Sequence, residues 1–98
     1  MDKVGLLLEE ISRMPELRAL DRHASSFLND VAEIYERHGG GATRPYLLNQ
    51  LARRNRADAE ALLRVIEKLE ASPEVRANRA IGRQILKCLY QLKEGARR

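Results

Sequence analysis

The sequence predicts an all-α fold, a compact bundle of about five helices in a single domain. Three observations lead there. Apolar residues recur at helical spacing along the whole chain, no segment alternates polar and apolar at period two, and Pro and Gly cut the chain into helix-length pieces. Its 98 residues suit one domain and leave no room for two.

The first helix is expected near 2–13, with Val4, Leu7, Leu8 and Ile11 on one face. Met14-Pro15 stops it, because proline lacks a donor and restricts the residue before it. Pro15 then suits the first position of a second helix, expected over 15–38. Its stripe is Leu17, Leu20, Ala24, Phe27, Leu28, Val31, Ile34 and Tyr35, an arc of about 120° at helical pitch. Gly39-Gly40-Gly41 ends it in a Gly-rich loop, 39–42, since glycine takes the left-handed conformation of a helix C-cap.

Thr43 is the expected N-cap of a third helix over 44–54, with Leu47, Leu48, Leu51 and Ala52 facing inward. Asn55 and Asp58 have capping-box spacing and start a fourth helix over 56–71 carrying Ala59, Leu62, Leu63, Ile66 and Leu69. Ser72-Pro73-Glu74 combines an N-cap serine, a first-turn proline and an acid at the positive helix end. A fifth helix follows over 73–94, burying Val75, Ile81, Ile85, Cys88, Leu89 and Leu92.

Composition narrows the class. Hydrophobic residues at 44% and charged residues at 33% are too apolar for a disordered chain and too charged for a membrane protein. The run Leu6-Leu7-Leu8 is far short of a membrane span, so the default expectation is a cytoplasmic protein with no membrane partner. A single Cys88 cannot form an internal disulfide, and its apolar neighbours predict an inert core thiol.

The chemistry of catalysis has little to stand on. His23 and His38 belong to no metal-spaced pair, and there is no G-x-S-x-G, C-x-x-C or acidic calcium loop. The glycine run lacks the Lys-Ser/Thr ending of a phosphate loop and follows a helix. The expectation is therefore a non-enzyme without catalytic residues, metal or cofactor.

Charge carries the most specific signal. The net charge of +4 hides a split: residues 1–38 hold five basic and eight acidic side chains, residues 39–98 thirteen and six. On the fifth helix Arg76, Arg79, Arg83 and Lys87 fall within an arc of about 80° with no acid among them. A second basic cluster, Arg53, Arg54 and Arg56, lies between helices three and four. That junction resembles a helix-turn-helix at Leu51, Ala52, Leu62 and Val65. It departs from that motif at Asn55 and Arg56, and its second helix carries the phosphate-repelling Asp58, Glu60, Glu67 and Glu70.

These cations point to a small adaptor that docks a macromolecule, most simply a protein, through its basic C-terminal half. The alternative is nucleic-acid binding by the same side chains, against which stand only four aromatic residues for base stacking. The charge split also allows a homo-oligomer, with the acidic second helix of one copy meeting the basic fifth helix of another. If the strip serves docking alone, reversing charge at Arg79 and Arg83 leaves stability intact.

Overall fold

A computed structural model describes residues 2–20, 25–51, 53 and 56–95; His23 and Ala24 on the expected second helix, Ala52, Arg54, Asn55 and Arg97 lie outside the described residues. Among the described residues there are seven α-helices, α1 (Lys3–Ser12), α2 (Ser25–His38), α3 (Gly40–Gln50), α4 (Arg56–Glu70), α5 (Pro73–Ala77), α6 (Arg79–Lys87) and α7 (Leu89–Gly95), with a 3₁₀ helix at Pro15–Ala19. The described residues contain no strand, and the expected all-α class holds.

The caps explain the boundaries that the sequence exposed. Asp2 accepts a hydrogen bond from the Gly5 amide at the start of α1, and Ser72 Oγ accepts from the Val75 amide at the start of α5. Met14 is extended (φ −68°, ψ 124°), the conformation that the following Pro15 imposes.

Four boundaries differ from expectation. Residues 15–38 are not one helix: a 3₁₀ turn ends at Leu20, which is extended at φ −69° and ψ 131°. Three-residue spacing eclipses Leu17 and Leu20 on one side of that turn, and both are buried. The expected loop 39–42 shrinks to Gly39, with φ +76°, and α3 already begins at Gly40. Thr43 is no N-cap but lies inside α3, buried, with its hydroxyl donating to the Gly39 carbonyl at 2.8 Å. Finally, 73–94 breaks twice. Asn78 (φ −142°, ψ 91°) caps α6 by accepting from the Ala80 amide, and Cys88 ends it at φ −98° and ψ 8°.

The second break corrects the reading of Cys88. Its thiol is exposed rather than in the core, because the turn at Cys88 swings α7 so that Leu86 and Leu89 go inside instead.

Helix α4 is the centre of the bundle. Only Arg56, Ala57, Glu60, Arg64 and Glu67 on it are exposed, a strip with the i, i+4 and i+7 spacing of a single helix edge. Ala59, Ala61, Leu62, Val65, Ile66 and Leu69 are buried, and α1, the 3₁₀ helix, α3 and α5 all pack on it. Against this layer α2 and α6 form the most extensive helix pair. The molecule is accordingly slab-like, 39 × 33 × 18 Å, about two helices thick.

Tyr35 ties the layers together. Its ring is fully buried, and its hydroxyl donates to Glu70 Oε2 at 3.4 Å. Burial, reinforced by the Glu70 carboxylate, pushes this phenol up to about 12. A phenol whose ionisation is suppressed on folding contributes stability that is complete below its ordinary value of about 10 and is lost as pH rises toward 12. Denaturant titration across this window is expected to show stability falling with pH in the wild type, and a flatter profile for Tyr35→Phe. An unchanged slope in the variant would assign the alkaline loss to another group.

Candidate functional site

The basic strip is where the sequence placed its interest, and the break at Asn78 divides it. Arg76 remains on α5, exposed, while Arg79, Arg83 and Lys87 ride on α6 directly over α2. Arg79 donates from Nε to the Glu36 carbonyl at 3.0 Å and from Nη2 to the Arg37 carbonyl at 3.1 Å. These are among the last carbonyls of α2, which lack helical donors and carry the negative end of the helix dipole. Arg83 Nε lies 3.0 Å from Glu33 Oε1 and 3.4 Å from Glu36 Oε1, and Lys87 Nζ stands 3.6 Å from Glu33 Oε1. The hydrogen bond from Arg83 is the main influence holding the Glu33 carboxyl below the usual carboxylate range.

Three of the four strip cations are thus engaged within the molecule, closing α6 onto α2. A signal for this was present in the sequence: Glu33 and Glu36 recur at three residues on one helix, Arg79, Arg83 and Lys87 at four on the other. Single-helix arithmetic does not connect them. Arg76, which has no ion-pair partner among the described residues, lines an open polar notch with Arg79, Asn78 and Glu36.

The second cluster fares differently. Arg53 is exposed, and Arg56 pairs with Glu60 one turn along α4 at 3.3 Å. Arg64 pairs likewise with Glu67. Among the described residues no ion pair and no shared acidic partner joins Arg53 and Arg56 to Arg76, Arg79, Arg83 and Lys87.

A site that the sequence missed lies on this side. Arg44, Leu48 and Leu51 of α3, Leu63, Arg64, Glu60 and Glu67 of α4, and Glu16 of the 3₁₀ helix line a groove of about 650 Å³. Leu48, expected to point inward, is instead 52% exposed, one of two large hydrophobic side chains this open among the described residues. The reason is that α3 buries Thr43 and Leu47 toward α2 and α4, which turns Leu48 outward by one helical step. Leu51 and Leu63 are partly buried against the core and extend the apolar surface. Arg44 and Glu16 have no ion-pair partner among the described residues.

The other open leucine, Leu6, lies on α1 in a smaller hollow of about 250 Å³. Two ion pairs frame it, Lys3 with Glu74 and Lys68 with Glu10, which fasten α1 to α5 and α4. The Glu74 carboxyl is held low chiefly by a backbone hydrogen bond, with Ser72 and Lys3 adding to it.

His38 is exposed at the last position of α2. Among the described residues no group of three or more His, Cys, Asp or Glu side chains is placed to hold a metal ion, and no helix is long and apolar enough to cross a membrane. Comparison of the chain with family models, with curated proteins and with solved structures finds no match, so its function is read from these surfaces alone.

Proposed function

We propose that this chain is a non-enzymatic binding module that docks another protein through the α3–α4 groove of its basic C-terminal half. Leu48 is the observation that carries the reading. A half-exposed leucine, continued by Leu51 and Leu63 and rimmed by charged side chains, is the kind of surface that receives the apolar face of a partner helix.

Nucleic-acid binding has less support from the same geometry. Arg83, Lys87, Arg56 and Arg64 already face carboxylates, and a phosphate would have to displace them.

The test compares Leu48→Glu with Arg76→Glu. Capture of a defined partner from extract is expected to be lost with the first and kept with the second. Capture indifferent to Leu48 would overturn the reading. Salt-steep binding of duplex DNA or RNA, abolished by Arg76→Glu, would put nucleic acid in its place.

A further inference from the structure

We infer that the occupant of the α3–α4 groove is helix α1 of a second copy of this chain, docked head to tail. The inference rests on the protein-docking reading above and narrows it to one partner.

Leu6 and Leu48 are the two open large hydrophobic side chains among the described residues, each 52% exposed. Around Leu48 the groove holds Glu16, Glu60 and Glu67 against Arg44 and Arg64; Glu60 pairs with Arg56 and Glu67 with Arg64, which leaves Arg44 and Glu16 as its uncompensated charges. Each leucine also has unmatched charges beside it. Leu6, Glu9 and Arg13 follow i, i+3, i+7 along one stripe of α1 and its C-cap, and neither Glu9 nor Arg13 has an ion-pair partner among the described residues. The groove presents Leu48 with Arg44 one turn away on α3 and Glu16 of the 3₁₀ helix also lining it, equally unmatched.

Docking therefore seats Leu6 on Leu48, Leu51 and Leu63 while Glu9 meets Arg44 and Arg13 meets Glu16. One surface offers an acid and a base around a leucine, and the other offers a base and an acid. Buried Leu7 and Ile11 already seat α1 on the bundle, so little ordering remains to be done on binding. Because the Leu6 surface and the groove are different surfaces, the contact is heterologous and every copy keeps one of each.

That geometry has a sharp test. Light scattering over a concentration series is expected to show the wild type associating. Leu6→Glu and Leu48→Glu should each weaken association about tenfold or more, with helicity by circular dichroism unchanged because both positions are half open. An equimolar mixture of the two variants is expected to recover a species of two chains, since one copy keeps its groove and the other its Leu6 surface. As a second measurement, Arg44→Glu weakens association and adding Glu9→Arg in the same chain restores it. A wild type that stays monomeric at every concentration, a mixture that does not recover, or a charge swap without rescue overturns the inference. Capture of a foreign protein that depends on Leu48 would still support the docking reading, so the two fail separately.

Discussion

Gly82→Ala is expected to destabilise this protein by about 2 kcal/mol, read as a lowered denaturant midpoint with an unchanged slope. The glycine sits in α6 where that helix crosses α2, and a Cβ there would stand 2.3 Å from Cε1 of Tyr35 and 3.0 Å from Cγ1 of Val75. Neither neighbour can step aside, since both are fully buried and Tyr35 is anchored through its hydroxyl to Glu70. Overpacking of this kind costs about 1–3 kcal/mol or more, and the better helix propensity of alanine returns roughly 1. Gly41→Ala is the control. It also lies in a helix, but a Cβ there meets nothing within 4 Å, so the same substitution is expected to be neutral or stabilising by up to about 1 kcal/mol. Equal effects at the two sites would mean that α6 and α2 do not approach as closely as the structure has them.

Gly82 also shows where sequence reasoning reaches its end. The class and most of the core follow from period and punctuation: Leu7, Ile11, Leu28, Val31, Leu62, Ile66, Leu69 and Val75 are buried where the stripes put them. The interruptions do not follow. Residues 79–94 contain no proline and read as one helix, yet Cys88 breaks them, because α6 is committed to α2 and α7 to α1. Asn78 was a local clue, being a capping residue inside an apparent helix. The triple glycine is not a loop: of the three only Gly39 adopts a positive φ, while Gly40 opens α3 beside the Glu70 carboxylate, where a Cβ would stand 1.8 Å from Oε1. The candidate groove was illegible for a related reason. The arc rule places Leu48 at the edge of an apolar face, and which edge stays open depends on the neighbours that α3 receives.

The basic strip yields the second large effect, and it reverses the simplest sequence-based expectation. Arg79→Glu with Arg83→Glu is expected to lower the thermal midpoint by at least several degrees rather than leave stability intact. The first substitution removes two donors from the C-terminal carbonyls of α2 and sets a carboxylate at the negative end of that helix. The second puts a carboxylate between Glu33 and Glu36, where Arg83 now joins them. The pH dependence separates this account from a general loss of helix. In the wild type Glu33 has a depressed folded-state value, so its contribution is present above the ordinary carboxylate range, about pH 4, and is lost as pH falls through it. Crowding three carboxylates in the variant raises their values instead, and protonation then relieves repulsion. Stability in the variant should therefore rise, relative to wild type, as pH falls toward about 4. A midpoint within a degree of wild type, or acid profiles that run parallel, would show that these arginines do not hold α6 to α2 and would return the strip to the role of a free docking surface.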